Sequence, residues 1–342
     1  METVKRILPG VSVCVAIAIV SFYLGEQIPL VGGPVFALFL GMIINLFVRI
    51  DEKFGAGLNF TSKRLLKLAI ILLGFSLSIG QILEVGKISL VVMVFTLAAA
   101  FGFGYLFGKL FKMDWKLSSL ISAGTGICGG SAVAALSPVI EADDSDVAYA
   151  ISATFIFDII MVILFPIMGR KLGLSDLAYG LWTGTAVNDT SSVVAAGYAY
   201  SNAAGSFATI VKLTRTLSII PTVIVFSYIS QRVKARELRA QMGSDYVGEK
   251  KKISLKAIFP YFIIFFVLAA IVNSIGLIPA KLGMKITHIS KFLMIMALGA
   301  IGLKTDLRDI KNSGLAPMLH GFIISALVVI VSLGVQMFLG QV

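Results

Sequence analysis

The chain has 342 residues, of which 58% are hydrophobic and 14% charged, and its 29 Lys and Arg against 18 Asp and Glu give a net charge of +11. A mean hydropathy of +0.96 is far above what one water-soluble core requires, which excludes an ordinary globular domain. The excess positive charge would suit a nucleic-acid binder, but the basic residues gather in alternate loops between apolar runs, a topology signal that sets nucleic acid aside.

About eleven apolar runs follow one another: Ile7 to Leu24, Gly32 to Val48, Leu65 to Ile82, Ile88 to Phe111, Leu117 to Ile140, Val147 to Met168, Leu177 to Tyr198, Ala203 to Ile229, Ile258 to Ile278, Ile286 to Leu303 and Leu315 to Leu339. Their lengths suit helices crossing a hydrocarbon layer of about 30 Å, where no backbone polar group can go unpaired. The expected fold is an all-α polytopic membrane protein of about eleven transmembrane helices, with residues 1–342 as one integral membrane domain and the lipid bilayer as its surroundings. The first run, preceded by Lys5 and Arg6 and followed by no small-residue cleavage site, reads as a retained helix. The charge pattern places the N-terminus in the cytoplasm and the C-terminus outside. It leaves Arg170 and Lys171 inside and the acidic turn Glu141, Asp143, Asp144, Asp146 outside. Residues 231–256 form a basic cytoplasmic linker between the eighth and ninth runs.

Two internal similarities point to repeats, which in transporters build the binding site between halves. Ser62 to Gly86 resembles Ser290 to Gly314, on runs an odd number apart, the mark of an inverted repeat. Gly124 to Ala135 resembles Gly184 to Ala195. If both members of this second pair span fully they run parallel, which conflicts with the inversion. Making one re-entrant restores the inversion but moves the basic linker outside.

The fifth run carries Gly124, Gly126, Gly129 and Gly130 at its middle, and glycine costs about 1 kcal/mol per residue in a helix relative to alanine. A discontinuous helix is expected, with free N–H groups facing a cavity and attracting an anion; close helix packing is the plainer alternative. Thr125, Cys128 and Ser131 add polar atoms there. Gly104 and Gly108, a lone GxxxG, read as packing alone. The seventh run places Asn188, Asp189, Thr190, Ser191 and Ser192 in succession at mid-depth. A carboxylate there is expensive, so Asp189 reads either as a proton carrier or cation ligand, or as part of a buried polar knot. Lys212 and Arg215 share one face of the eighth run near the bilayer centre. They either pair with Asp189 or Asp158 or offset the charge of an anionic substrate. Pro221 is positioned to kink that run. Lys67 is close enough to an end to snorkel, and His288 and His320 read as interfacial. No nucleophile, base or metal set has the spacing an enzyme needs, so no catalytic residue, metal or cofactor is expected.

The Gly-Thr-Gly-Ile-Cys-Gly-Gly-Ser-Ala run, the Gly-Thr-Ala-Val-Asn-Asp-Thr run and Lys212-Leu213-Thr214-Arg215 together resemble the YeiH-like proteins, a family named for sulfate export, over essentially the whole chain. That family sits with the bile acid, arsenite and riboflavin transporter group. The resemblance implies inverted repeats with broken crossing helices, a panel and a core domain, and a bacterial inner-membrane carrier, with self-association into homo-oligomers left open. It also departs from the family, which often has His where this chain has Asn188; that speaks against a proton relay at the position. Combined with the residues, it implies secondary active export of a small anion, a sulfur oxyanion or related sulfur-containing or organic anion, coupled to H+ or Na+. Thr125, Cys128, Gly129, Gly130, Ser131, Lys212 and Arg215 would bind the substrate. Asn188, Asp189, Thr190 and Ser191 would serve coupling, supported by Asp158. A passive anion channel is the alternative.

Overall fold

The computed structural model describes residues 2–28, 33–48, 51–242, 261–305 and 314–342, all helical or in short connections. Helices α1 (Glu2–Gln27) and α2 (Gly33–Phe47) lead to a continuous rod made of α3 (Glu52–Asn59), a π-helical stretch Phe60–Leu65, α4 (Leu66–Leu73) and a closing turn Gly74–Ser76. Asp51 starts this rod by accepting the N–H of Lys53, a bond that holds its carboxyl below the usual carboxylate range. The chain turns at Leu77 and Ser78, where Ser78 and Gln81 form a capping box that opens α5 (Ile79–Leu110). The third apolar run therefore joins the end of one element to the start of the next.

There follow α6 (Trp115–Ala123), a π-helical turn Gly124–Cys128, α7 (Gly130–Ile140), α8 (Asp144–Lys171), α9 (Asp176–Ala186) and α10 (Thr190–Tyr200). The remainder is α11 (Asn202–Thr216), α12 (Ile219–Met242), α13 (Phe262–Ser274), α14 (Ala280–Lys304) and α15 (Leu315–Phe338). Among the described residues, six stretches, Arg6–Gln27, Ile79–Leu110, Ser145–Lys171, Asn202–Val233, Lys281–Lys304 and Leu315–Phe338, are long and apolar enough to cross a membrane. The eighth run breaks at Leu217 and Ser218, ahead of Pro221, which falls in the first turn of α12, where its missing N–H costs nothing. Of the expected basic linker, residues 243–256 lie outside the described residues, as do 306–313 in the second copy of the first repeat.

The fifth and seventh runs are not single straight helices. A straight helix over either would hold its ends about 30 Å or more apart. Instead, Lys116 at the start of α6 donates through Nζ to the carbonyl of Glu141 just after α7, at 2.8 Å. Tyr179 of α9 stacks on Tyr200 of α10 with centroids 3.9 Å apart and donates its hydroxyl to Ala196 O, and Ser201 Oγ donates to Asp176. Each run is a helical hairpin with both ends on the same side of the bundle. The reversals have local causes. Gly129 takes φ 61 and ψ −137, open only to glycine, and Val187 and Asp189 are extended, the Asp189 side chain capping α10 through Ser191 N. The open end of the first hairpin lies at the start of α8; that of the second lies at its far end, where Arg170 donates to the carbonyl of Ala199. The 28 residues of α8 separate the two by about 42 Å, so the hairpins enter from opposite ends and meet at their tips.

The remaining helices form two groups. In one, α1, α2, α3, α4, α13 and α14 pack together through close backbone approaches: a methyl group on Gly41 of α2 would lie 2.5 Å from Gly299 O and 2.7 Å from Leu303 N of α14. In the other, α5, α8, α11, α12 and α15 surround the hairpins. Gly104 and Gly108 of α5 serve packing as expected, admitting Ser122 and Ser118 of α6.

Candidate functional site

The tips place Gly129 against Asp189, with a methyl group on Gly129 only 3.1 Å from Asp189 Cβ. These two residues hold equivalent positions in the paired motifs, each at the N-cap of an outgoing helix. Behind the tips lie the ends of the incoming helices, whose last carbonyls have no partner within their own helix. Lys212 and Arg215 of α11 supply the partners. Lys212 Nζ donates to Ile127 O at 2.8 Å, to Val187 O at 3.0 Å and to Asn188 O. Arg215 donates from Nη2 to Thr125 O at 2.5 Å, from Nε to Gly126 O at 2.6 Å and from Nη1 to Val187 O at 3.3 Å. Two cations thus sit at the negative ends of α6 and α9, where the helix dipoles favour them. Asp158 of α8 does the converse, accepting Asn188 N at 2.8 Å and Asp189 N at 2.9 Å. The helix after the first hairpin therefore places a carboxylate at the second tip, and the helix after the second places two cations against both tips.

A cavity of about 1120 Å3 borders the tips. Its floor includes Cys128, Gly129, Gly130, Ser131, Asp189, Thr190, Ser191 and Asp158. Its wall across from them comes from α4, α13 and α14, and its mouth carries Lys63, Arg64, Lys67 and Lys304. The N-terminus of α7 faces this space with no side-chain cap. The N-terminus of α10 is capped by Asp189, which accepts Ser191 N at 2.8 Å and the Ser191 hydroxyl. One positive helix end is thus free and the other is offset by a carboxylate.

The expected substrate residues divide on this geometry. Cys128, Gly129, Gly130 and Ser131 line the cavity, as do Asp189, Thr190 and Ser191. Thr125, Asn188, Lys212 and Arg215 do not; each is 0% exposed. Direct contact of Lys212 and Arg215 with a solute in the cavity is therefore corrected: their donors are directed to backbone carbonyls. Nor do they pair directly with Asp158 or Asp189, since the ion pair found among the described residues is Lys53 with Asp51. Lys67, expected only to snorkel, stands at the cavity mouth. His320, expected at an interface, is fully buried and bonds Ser118 Oγ at 3.2 Å through Nε2, whereas His288 is exposed. Two contributors escaped the sequence reading: Thr154 of α8, which lines the cavity, and Ser325 of α15, which contacts Asn188. Ser325, Ser332 and Gln336 recur at helical spacing inside an apolar run, a signal present in the sequence.

An all-helical bundle with long apolar helices and two opposed hairpins whose tips floor a solute-sized cavity defines an integral membrane protein of transporter-like build. The chain belongs to the UPF0324 family of membrane proteins, the YeiH-like family its motifs resemble. It matches the family described as Conserved hypothetical protein 698 over residues 9–321. A UPF0324 membrane protein of Clostridium tetani is 58% identical over 345 residues, covering 100% of both chains. Those of Streptococcus pneumoniae serotype 4 and Streptococcus mutans serotype c are 42% and 41% identical, each over 97% of both chains.

Proposed function

We propose that the protein is a secondary active transporter that exports a small anion, such as a sulfur oxyanion or another compact sulfur-containing or organic anion, coupled to H+ or Na+, and that it does no covalent chemistry on its cargo. The observation that carries this reading is the cavity floored by two hairpin tips, one of them an uncapped helix N-terminus at Gly130 and Ser131. Such an end offers free N–H donors and a positive dipole to an anion. The basic mouth at Lys63, Arg64, Lys67 and Lys304 raises local anion concentration. Lys212 and Arg215 contribute field from behind the tips rather than contact.

In this reading the protein sits in the bacterial inner membrane with its N-terminus inside and its C-terminus outside. Nine segments cross: α1, α2, the α3–α4 rod, α5, α8, α11 with α12, α13, α14 and α15, with both hairpins re-entrant. Both internal similarities then become inverted and the basic linker stays cytoplasmic, which removes the conflict met in the sequence, while the turn Glu141, Asp143, Asp144, Asp146 moves to the inner face and Arg170 and Lys171 to the outer one, the reverse of their charge-based placement. The group of α1 to α4, α13 and α14 corresponds to a panel and the hairpin-bearing group to a core. The cavity, whose mouth is basic, faces the cytoplasm.

The test is thermal stabilisation of the detergent-purified protein by sulfate, sulfite, thiosulfate, sulfonates and carboxylates as choline salts, followed by flux of the stabilising anion in proteoliposomes. Saturable flux that requires a cation or pH gradient supports the carrier. Flux that follows the anion gradient without saturation makes the protein a channel, and stabilisation only by cationic or neutral solutes removes the anion site.

A further inference from the structure

The first internal similarity is realised in the structure, and its two copies differ in charge. With Ser62 set against Ser290 and Lys63 against Lys291, the rod of α3 and α4 corresponds to α14. The glycines they share pack alike: a methyl group on Gly74 would lie 2.4 Å from Phe266 O of α13, and one on Gly302 would lie 2.1 Å from Leu38 O of α2. Each copy seats its glycine on the helix that precedes the other copy, as a two-fold exchange requires. The same register sets Arg64 against Phe292 and Lys67 against Ile295. Ile295 is buried in the cluster formed with α1 and α2, and Phe292 packs on that cluster. The π-helical stretch Phe60–Leu65 also lacks a counterpart, since Ala280–Lys304 is α-helical throughout.

Of the four cations at the cavity mouth, two are both unmatched and unoccupied. Lys304 donates to Asn59 Oδ1 at 2.6 Å and to Ser62 Oγ at 3.4 Å. Lys63 has an equivalent in Lys291, which donates to Asn202 Oδ1 at 2.8 Å. Arg64 and Lys67 are exposed, line the cavity, and make no hydrogen bond or ion pair among the described residues. The Lys67 ammonium lies 5.8 Å from the centroid of the Phe262 ring on the opposite wall, a weak contact at an exposed position. A topology signal needs charge only at the end of a span. Lys67 stands further in, about 22 Å along the rod from Glu52 at helical rise. A cation at that depth is costly unless it meets water or a partner, and it marks a solute path.

We propose that Arg64 and Lys67 form a one-sided loading site that holds the anion in the cytoplasmic half of the cavity, with no equivalent in the repeat-related outer half. The guanidinium fork takes two oxygens of a sulfonate- or carboxylate-like group, and the ammonium takes a third as a point charge. Both residues belong to the wall and not to the hairpin tips, so cargo carried past the wall leaves both cations behind. Phe292 and Ile295, which stand at their positions in the other copy, offer no replacement. Affinity is therefore high on the loading side and low on the release side, while the driving gradient still fixes the net direction. The inference rests on the carrier reading and adds to it the residues that take the anion and the side from which they take it.

The test uses two thiol reagents of similar size, a methanethiosulfonate bearing a sulfonate and one bearing a trimethylammonium group. The reporter is Ser131→Cys in the full-length protein lacking Cys14 and Cys128, in inverted membrane vesicles that present the cytoplasmic face. The ratio of sulfonate to trimethylammonium reaction rates is expected to fall about tenfold or more in Arg64→Phe with Lys67→Ile, which installs the residues of the second copy, and likewise in Arg64→Gln with Lys67→Gln. Lys109→Gln removes a basic residue that does not line the cavity, and at physiological salt, where screening acts over about 8 Å, the ratio should stay within about twofold. A ratio unchanged by both double variants, an equal fall in Lys109→Gln, or a cysteine reached only in right-side-out vesicles overturns the loading site. Saturable flux of [35S]sulfate and [35S]thiosulfate is measured separately in the same vesicles. Its absence counts against the carrier reading, whereas the reagent ratio alone decides the two cations.

Discussion

Replacing Gly129 by alanine tests whether the two tips must touch. Gly129 has φ 61 and ψ −137, a conformation that costs an L-residue roughly 1–3 kcal/mol. The added methyl group also meets Asp189 Cβ at 3.1 Å and Asp189 Oδ1 at 3.2 Å. Crowding of this kind adds about 1–2 kcal/mol when the neighbour is fixed, and Asp189 is fixed by its bonds to Asp158 and Ser191. Gly129→Ala should therefore destabilise the protein by roughly 2–5 kcal/mol. Gly173→Ala is the control: its φ of 65 is also positive, but nothing lies within 4 Å of the new methyl group, so only about 1–2 kcal/mol is expected. Fluorescence of Trp182, packed on Phe165 with centroids 4.3 Å apart, reports hairpin melting in both variants. Proteoliposome flux should fall at least tenfold in Gly129→Ala and little in Gly173→Ala. If the two variants melt together and transport alike, contact between the tips plays no part.

Three further outcomes follow from the same geometry. In a background lacking Cys14 and Cys128, Asp143→Cys should react with an impermeant thiol reagent only from the cytoplasmic face and Leu172→Cys only from outside; the opposite pattern restores an eleven-span topology. Arg215→Lys keeps the charge but cannot reach Thr125, Gly126 and Val187 together, so at least one buried carbonyl loses its donor, at about 1–3 kcal/mol. Because Arg215 is outside the cavity, the half-saturating anion concentration in a flux assay should stay within about threefold, judged against the affinity changes a direct ligand would give. Gly41→Ala drives a methyl group into the backbone of α14 at 2.5 Å, and a denaturation midpoint should register a loss of more than about 2 kcal/mol.

Much of the bundle was legible because hydrocarbon solvent leaves few choices. Apolar runs of spanning length became helices, and the glycine cluster at Gly124 to Gly130 and the polar cluster at Asn188 to Ser192 marked both breaks. What the runs did not encode was their reversal. A hairpin with two 11-residue legs has the length and composition of one span. The turn lies in a single glycine's positive φ and in the extended backbone at Val187 and Asp189, and it is secured by contacts such as Lys116 with Glu141 and Tyr179 with Tyr200, distant in sequence. Depth likewise singled out Lys212 and Arg215 as candidates, but depth is silent on direction. Only the positions of the orphan carbonyls at Thr125, Gly126, Ile127 and Val187 reveal that these cations face away from the cavity.

The attachment of both tips to α11 constrains how such a bundle can move. Lys212 bonds Ile127 of one hairpin and Val187 of the other through a single ammonium group, and Arg215 likewise grips both. Swinging either hairpin aside as a flap would strip donors from the carbonyls of buried residues. The low-energy motion is instead one in which the two hairpins and α11 travel as a unit, while the boundary that slips is the one across the cavity, against α4, α13 and α14. In the proposed carrier, the barrier to solvent would change sides by transport of the whole floor, with the membrane-facing helices of the opposite group as the fixed rail.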